Sequence, residues 1–303
     1  MTVKDKNILW TTLRISGMAI AMLIVLVLLT GIFWGSRHFV VRRHVIFYET
    51  LPAKFDGYRI LQFSDLHAGT FRRKDLHRVV NLINQQHCDM VVFTGDMVNR
   101  KSAEMEEVKS ILAHIQAPDG VFSVLGNHDY GTYDGMSEEE QKKDVERLVQ
   151  CQRSIGWHPL LNDHAVVRRG NESIVISGVE CFGAPPFPRR GDIYKALKGV
   201  KKNDFIVLLS HDPCHWHMQI IPETSVQLTL SGHTHAAQFK VGDWSPIQWH
   251  YREWSGIYVR DTKVLNVSDG LGGYIGPFRF GAWPEVAVIT LRCLPKSFTK
   301  KII

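Results

Sequence analysis

The chain opens with one long apolar stretch. Residues 17–35 contain almost no polar side chain, and no charged residue lies between Arg14 and Arg37. A helix of this length is long enough to cross the roughly 30 Å hydrocarbon core of a bilayer. The stretch has no polar face, so it does not suit an amphipathic helix that lies on a surface. We therefore predict a transmembrane helix in this part of the chain.

A cleaved signal peptide is the competing interpretation of this stretch. The apolar region of a signal peptide is shorter, and a cleavage site with small residues follows it. Here Trp34 and Arg37 stand where that site would lie. We therefore expect an uncleaved single-pass anchor in the cell membrane, with residues 1–36 forming the tail and anchor and residues 37–303 forming one further domain.

Basic residues flank the span on both sides, so the positive-inside rule gives nearly a tie for its orientation. They are Lys4, Lys6 and Arg14 before the span, and Arg37, Arg42 and Arg43 after it. Of the two orientations, we favour the one that puts the larger domain on the cytoplasmic face.

Five short apolar runs with the composition of buried strands follow the anchor, and a polar cluster comes directly after each of them. The runs are residues 59–63, 90–93, 121–125, 205–209 and 226–230. The clusters are residues 64–67, 95–96, 126–129, 210–212 and 232–235. Ligands of α/β proteins gather beyond the carboxyl ends of the strands. The pattern therefore predicts one functional site built from these clusters.

The spacing of the first three clusters indicates successive βαβ units. Asp65 and Asp96 are 31 residues apart, and so are Asp96 and Asn127. A strand, a crossover helix and a parallel return strand take about 30 residues. Apolar residues at helical spacing in residues 73–87 and 103–115 predict two crossover helices. The first three clusters should therefore lie on the same edge of one sheet.

The later part of the chain is richer in predicted strands than in helices. A third helix is expected over residues 138–153, where Ser137 is a suitable N-cap. A strand is expected directly after the anchor, over residues 39–49. Further short strands are predicted at residues 173–178, 256–259, 263–267 and 285–291. With the fourth and fifth apolar runs, these strands indicate the second sheet of an α/β sandwich.

Composition and charge describe an ordinary globular domain. Hydrophobic residues make up 45% of the chain and charged residues 22%, and the net charge of +6 is spread along it. No basic stripe with interleaved aromatic residues occurs, so we expect a membrane neighbour and no nucleic acid partner. The five cysteines form no Cys-x-x-Cys pair, which argues against a disulfide framework or a structural zinc site.

The residue types in the clusters suit a pair of divalent cations, which we expect to be manganese, zinc or iron. Two such ions about 3.5–4 Å apart acidify a shared water and stabilise the charge on a phosphoryl group. This arrangement needs one carboxylate that bridges both ions, and Asp96 is the sole candidate ligand on its loop. The other candidate ligands are Asp65, His67, Asn127, His211, His233 and His235.

In their order and composition, these clusters resemble the five signatures of the calcineurin-like metallophosphoesterases. The matching segments are Asp65-Leu66-His67, Gly95-Asp96, Gly126-Asn127-His128-Asp129, Ser210-His211-Asp212-Pro213 and Ser231-Gly232-His233-Thr234-His235. More narrowly, residues 270–273 and 284–291 are similar to the bacterial membrane-associated phosphodiesterase branch of that family. This branch includes phosphodiesterases of unsettled substrate and pyrophosphatases that cleave UDP-diacylglucosamine in lipid A synthesis.

The resemblance implies a four-layer αββα sandwich with a dinuclear metal site at its edge. By this resemblance, one ion would be held by Asp65, His67, Asp96 and His235. The second ion would be held by Asp96, Asn127, His211 and His233. His128 would face the phosphate and either protonate the leaving oxygen or stabilise its charge.

Two sites depart from the family pattern. Many relatives have a carboxylate three residues after the bridging aspartate, where it orients the catalytic histidine, and here Asn99 occupies that position. A non-catalytic metal-binding or scaffold protein that retains the fold is therefore the alternative to an enzyme. Ala236 and Ala237 replace glycines that are common in this branch, and we expect little consequence.

We therefore hypothesise a membrane-anchored, metal-dependent phosphodiesterase or pyrophosphatase. A lipid-linked substrate such as UDP-diacylglucosamine suits a cytoplasmic domain, whereas a cell-wall or nucleotide diester suits the reverse orientation. His215 and His217 are near His211 in the sequence and are candidate substrate contacts. Four aromatic residues either cover a loop or rim the entrance for a lipid substrate. They are Trp244, Trp249, Tyr251 and Trp254.

Overall fold

A long N-terminal helix precedes the rest of the fold. In the computed structural model, which describes residues 3–185, 187–274 and 276–294, helix α1 spans Val3–Phe33. Among the described residues it is the one helix long and apolar enough to cross a membrane, over Trp10–Arg37. Its large apolar side chains are exposed, including those of Met22 and Leu26, as expected of a surface that faces lipid.

Six strands form the first sheet, in the order β1-β12-β2-β3-β4-β5. Their bounds are β1 (Val40–Tyr48), β2 (Arg59–Phe63), β3 (Met90–Phe93), β4 (Val121–Ser123), β5 (Trp157–Pro159) and β12 (Glu285–Cys293). Strands β2 to β5 are parallel, whereas β12 runs antiparallel to β2 and parallel to β1. The carboxyl ends of β2, β3 and β4 therefore lie at the same edge of this sheet, as the spacing of the clusters predicted.

The second sheet also has six strands, in the order β10-β11-β9-β8-β7-β6. Their bounds are β6 (Asp163–Arg169), β7 (Glu172–Gly178), β8 (Phe205–Leu209), β9 (Leu228–Ser231), β10 (Gly256–Arg260) and β11 (Lys263–Val267). Strands β7, β8, β9 and β11 are parallel neighbours, and β6 and β10 are antiparallel edges. This sheet brings the carboxyl ends of β8 and β9 to the same site.

Alternating side chains of the central strands separate two hydrophobic layers, because successive strand residues point to opposite faces. Ile60 of β2 and Val92 of β3 pack between the sheets against Ile176 and Val207. Phe63 and the other outward residues of the first sheet pack against the first-sheet helices. Those helices are α2 (Arg73–Asn84), α3 (Lys109–Leu112) and α4 (Glu138–Ser154).

The outer face of the second sheet is covered by short helical segments. They are α5 (Ile193–Ala196), a π-helical turn (Trp216–Ile220) and α6 (Ile221–Glu223). Trp216 and Ile220 pack there against Ile206 and Leu208 of β8. The four layers confirm the predicted αββα sandwich, preceded by one apolar helix.

Two predicted elements were wrong in detail. Residues 285–291 belong to the first sheet and not to the second, because β12 inserts between β1 and β2 and so closes the sheet next to the anchor. Residues 103–115 do not form one helix but a 3-10 segment, Ser102–Glu107, followed by the short α3. The carboxylate of Glu104 accepts the N–H groups of Asn99 and Arg100, which fastens this segment to the loop after β3.

Candidate metal centre

Seven candidate ligands from the sequence lie on the loops that follow five strands of the two sheets. Asp65 and His67 follow β2, and Asp96 follows β3. Asn127 follows β4, His211 follows β8, and His233 and His235 follow β9. All are buried except His233, which is partly exposed. The sandwich thus brings donor atoms from both sheets to one edge.

The backbone turns sharply at the ligand positions. Asp65, His67 and Asp96 have φ values of 54°, 50° and 58°, and His233 and His235 have 76° and 50°. Residues other than glycine seldom adopt this left-handed conformation, and each instance costs of order 1–3 kcal/mol. This strain is concentrated where the chain must direct a strand-end side chain back toward the sheet edge.

Motif glycines allow the loops to approach the carboxylates closely. A Cβ atom on Gly126 would collide with Asp96 Oδ1, and a Cβ atom on Gly232 would collide with Asp65 Oδ2. Glycine is therefore required before Asn127 and His233, because any side chain there would displace a candidate ligand.

The first donor group consists of Asp65, His67, Asp96 and His235. Nε2 of His67 lies 3.1 Å from Nε2 of His235. Nε2 of His235 lies 3.3 Å from Asp65 Oδ1, and Nε2 of His67 lies 3.7 Å from Asp96 Oδ2. Ligand atoms that bind one cation at roughly 2.1 Å lie about 3–3.5 Å from one another. The observed spacing of the first group therefore suits one cation.

The second donor group consists of Asp96, Asn127, His211 and His233. Oδ1 of Asn127 lies 2.8 Å from Nδ1 of His233 and 3.2 Å from Nε2 of His211. Nε2 of His211 lies 3.3 Å from Asp96 Oδ2. This oxygen of Asp96 also faces His67 of the first group, so the two groups meet at a single carboxylate oxygen.

Hydrogen bonds to residues outside the second group determine which atom of His211 and of Asn127 points toward the expected cation. Nδ1 of His211 donates to the carbonyl of Thr94 at 2.8 Å, which leaves Nε2 with its lone pair toward the site. Nδ2 of Asn127 donates to the Tyr133 hydroxyl at 3.0 Å, which directs the amide oxygen inward. These orientations are those that a cation needs from an imidazole and an amide.

Burial keeps the first-group imidazoles neutral, which is the form that binds metals. Desolvation lowers the pKa of His67 to about 3. Desolvation, assisted by the positive charge of Arg279, also lowers the pKa of His235 well below its usual range. Nδ1 of His67 is a buried ring nitrogen without a hydrogen-bond partner among the described residues. The residues present thus fit a pair of divalent cations in donor type and spacing, and the imidazoles of the first group also in protonation.

His128 lies beside both groups without contributing to either. Its backbone N–H donates to Asp96 Oδ1 at 2.9 Å, and its ring centroid is 4.8 Å from that of His67. Its Nδ1 donates to the backbone carbonyl of Asn99 at 2.8 Å. The carboxylate that Asn99 lacks is thus replaced by a main-chain oxygen of the same residue, which orients the ring without adding charge.

The sequence did not predict the supporting roles of two residues at the site. The carboxylate of Asp129 accepts the backbone N–H groups of Gly126, Asp96, Met97 and Val98. It therefore clamps the loop after β4 to the loop after β3. Its place in the Gly-Asn-His-Asp cluster was the available signal. The hydroxyl of Tyr251, which the sequence indicated only as a loop or entrance aromatic, lies 2.7 Å from Nε2 of His233.

A pocket of about 580 Å³ opens over the donor groups. Its described lining includes Phe187, Met218, Ile247, Tyr251 and Tyr274, together with polar His217, His250 and Arg252. His217, paired with Glu253 at 2.8 Å, lies in this pocket as a candidate substrate contact. His215 does not, because it is buried between Ser210 and Gln219.

Comparison with known proteins places these features in a family. Residues 58–237 match the calcineurin-like phosphoesterases. The chain is 30% identical over 253 residues to a Danio rerio transmembrane protein with metallophosphoesterase domain, covering 80% of this chain and 55% of that relative. It is also 30% identical over 260 residues to the Bacillus subtilis metallophosphoesterase YkuE, covering 82% and 84%.

A third relative has a named substrate. The chain is 28% identical over 302 residues to the UDP-2,3-diacylglucosamine pyrophosphatase LpxG of Chlamydia trachomatis, covering 80% of this chain and 87% of that enzyme. The chain spans about half the length of the zebrafish relative, but most of the length of the two bacterial ones. It belongs to the calcineurin-like phosphoesterase family and is a metal-dependent phosphoric ester hydrolase with an N-terminal apolar helix.

Proposed function

We propose that this protein is a membrane-anchored phosphodiesterase or pyrophosphatase that works with two divalent cations. The observation that carries the proposal is the meeting of two donor groups at Oδ2 of Asp96. When bound, such a pair of ions acidifies water and neutralises charge on the phosphoryl oxygens. The first group would hold one ion and the second group the other, with Asp96 shared between them.

His128 is the proposed acid–base residue. Because its Nδ1 donates to the carbonyl of Asn99, its Nε2 is the nitrogen left for the pocket that this histidine lines. From there it would donate a proton or a hydrogen bond to the departing oxygen. The main-chain carbonyl orients the ring but does not add the negative charge of the carboxylate that many relatives have at this position.

A lipid-linked substrate is the substrate class that we propose. The apolar lining of the pocket suits an acyl or prenyl chain, and Arg252 and His250 at the same pocket suit a phosphate or nucleotide headgroup. The likeness to the diacylglucosamine pyrophosphatase of Chlamydia trachomatis points to UDP-2,3-diacylglucosamine or a compound of the same design.

A series of aromatic contacts that begins at the end of the anchor and ends at Trp249, next in the chain to the pocket residue His250, supports a membrane-borne substrate. Ring centroids are 5.0–6.2 Å apart in the order Trp34, Trp283, Phe280, Phe239, Trp244 and Trp249, with Trp34–Trp283 at 5.0 Å and Trp244–Trp249 at 5.9 Å. Trp249 is 71% exposed although it is large and apolar. Exposed tryptophans of this kind are typical of the interface between a membrane and water.

For the arrangement in the membrane, we propose an anchor within residues 1–36 and a catalytic domain over residues 37–303 on the cytoplasmic face. A cytoplasmic domain would meet nucleotide-activated lipids, whereas an external one would meet cell-wall or nucleotide diesters. A reporter enzyme fused after the last residue, active only on one side of the membrane, tests this choice. Activity of a periplasmic reporter would contradict the cytoplasmic assignment.

The function itself is tested with the full chain purified in detergent or nanodiscs. Metal-depleted protein is reloaded with Mn²⁺ and offered UDP-2,3-diacylglucosamine and bis-p-nitrophenyl phosphate. We expect Mn²⁺-dependent hydrolysis of both, with a higher kcat/KM for the lipid. Hydrolysis of the generic diester alone would reject the lipid assignment. Metal binding without any turnover would favour the scaffold alternative that the asparagine at position 99 motivates.

A further inference from the structure

Arg279 is a buried cation that joins a candidate metal ligand to the surrounding main chain. Its side chain is only 2% exposed. Nη2 lies 3.0 Å from Nδ1 of His235 and also donates to the carbonyl of Gly272. Nη1 donates to the carbonyls of Asp269, at 2.6 Å, and Ala282, at 3.2 Å. One guanidinium thus holds three carbonyls and one ligand of the first donor group.

The loop that Arg279 holds is packed against the other end of the first donor group. The N–H of Gly272 donates to the carbonyl of Asp65 at 2.7 Å. A Cβ atom on Gly272 would collide with the carbonyl of Leu66, and one on Gly270 would lie 2.8 Å from Cβ of Asp65. The loop is therefore packed tightly against Asp65. Arg279 thus supports the position of Asp65 through this loop, and it contacts His235 directly.

The main chain at Arg279 is in turn seated on the end of helix α1. Its N–H donates to the carbonyl of Gly31 at 3.2 Å, a last-turn carbonyl of the kind that helices leave without an internal partner. A Cβ atom on Gly35 would collide with the carbonyl oxygen of Arg279, and one on Gly31 would collide with the ring of Phe278. The two glycines, four residues apart, give the closest possible approach of helix end and loop.

We propose that Arg279 is a positioning residue that is seated by the anchor helix, so that the cation affinity of the first donor group depends on docking of that helix. The inference rests on the proposed metal-dependent function but concerns the support of one site and not the reaction. It means that the anchor is part of the architecture of the metal centre as well as a tether.

The charges around Arg279 are consistent with a fixed support. The negative charges of Asp269, Asp65 and Glu285 act on the buried guanidinium and favour its charged form. Because an arginine only donates, Nδ1 of His235 is the accepting nitrogen, and Nε2 is the nitrogen that faces Asp65 and His67.

A pair of matched glycine substitutions tests the coupling. In Gly35→Ala, just beyond the end of helix α1, the new Cβ displaces the main chain at Arg279, whereas Gly17→Ala adds the same atom within that helix in open space. Full-length chains in nanodiscs are freed of metal and titrated with Mn²⁺ by calorimetry. We expect Gly35→Ala to weaken one of the two Mn²⁺ sites about tenfold or more, the range seen for outer supports of metal ligands. The other site, and both sites of Gly17→Ala, should match the wild type.

Three further readouts keep the test decisive. The new Cβ of Gly31→Ala meets only the side chain of Phe278, so this variant should lose less Mn²⁺ affinity than Gly35→Ala. It replaces Gly35→Ala in the test if that variant does not fold. Arg279→Met should weaken the same site as Gly35→Ala. Identical Mn²⁺ binding by the Gly35, Gly31 and Gly17 variants, or unchanged binding by Arg279→Met, would overturn the coupling. If the wild type binds no Mn²⁺, the proposed function fails instead.

Discussion

The two donor groups share Asp96 but differ in what holds their histidines. In the second group, His211 is oriented by the carbonyl of Thr94, and His233 by the hydroxyl of Tyr251, both on neighbouring loops of the sandwich. In the first group, His235 depends on Arg279, and Nδ1 of His67 has no partner among the described residues. The second group is thus organised by the sandwich alone, whereas the first depends on a loop seated on the anchor.

This difference indicates an order of filling. Ligands whose outer partners already fix the correct nitrogen lose less entropy when they bind an ion. The second group should therefore bind its cation first, and the first group should bind later and respond more strongly to changes at the membrane.

The largest effect is expected from the one residue that both groups use. Asp96→Ala removes a ligand from each and should leave neither ion firmly bound. Loss of several kcal/mol of electrostatic stabilisation corresponds to a fall in kcat of about a thousandfold or more. Measurement of bound metal and diesterase turnover in one preparation checks both effects, with the exposed Asp243→Ala as control. Normal turnover by Asp96→Ala would remove the basis of the two-group description.

His128 should separate catalysis from metal binding. Because its side chain belongs to neither group, His128→Ala should keep both ions and lose about 10²–10⁴-fold in kcat, the usual contribution of an acid–base residue. Metal analysis alongside kinetics gives the answer. A parallel loss of metal would instead make His128 a ligand and would require the donor groups to be redrawn.

Tyr251→Phe should affect the second group selectively. The change removes the hydroxyl 2.7 Å from His233 and should weaken that cation site about tenfold, while the first group is unaffected. Tyr194→Phe is a matched control, because it deletes an exposed hydroxyl that contacts Glu223 far from the site. Calorimetric titration with Mn²⁺ resolves the two steps. Weakening of both sites to the same extent would mean that the supports are not separate.

The smallest effect concerns the turn after His235. Ala237 has φ +51°, a conformation that costs alanine about 1–2 kcal/mol and glycine little. Glycine relieves this strain but costs more conformational entropy on folding than alanine does. The net effect of Ala237→Gly should be a stabilisation of the folded protein by about 0.5–1 kcal/mol. This corresponds to a rise in melting temperature of about 1–3 °C with turnover unchanged. A lower melting temperature would show that the turn is not strained and that the replacement of glycine has no cost.

The strand-end clusters could be predicted from the sequence because the strand pattern and the ligand residues are adjacent in the chain. A buried strand, a glycine and a polar ligand adjoin in the chain at Asp96, Asn127 and His233, so the periodicity of the strands locates the loops. The expectation that alanine replaces glycine after His235 with little consequence did not anticipate the positive φ of Ala236 and Ala237.

The contacts that support the ligands could not be predicted from the sequence, because they join residues that are far apart in the chain. Arg279 meets His235 across 44 residues, and Asp129 meets the backbone of Asp96 across 33. No local pattern distinguishes Arg279 from any other arginine, and the cluster that contains Asp129 does not indicate which loop its carboxylate would hold. The same holds for β12, whose apolar run identifies a strand but not the sheet that accepts it, since pairing is decided by the whole fold.

The position of β12 also affects how the protein is made. Strand β1 leaves the anchor directly, yet its neighbour in the sheet is β12, nearly 250 residues later in synthesis, in register from Val40↔Glu285 to Tyr48↔Cys293. Until the ribosome has released that segment, the tethered strand has an open edge beside the membrane, and such edges invite wrong partners. The nascent chain should therefore need protection at that edge, and a stop codon before residue 285 should yield a protein that is inserted but never completes its first sheet.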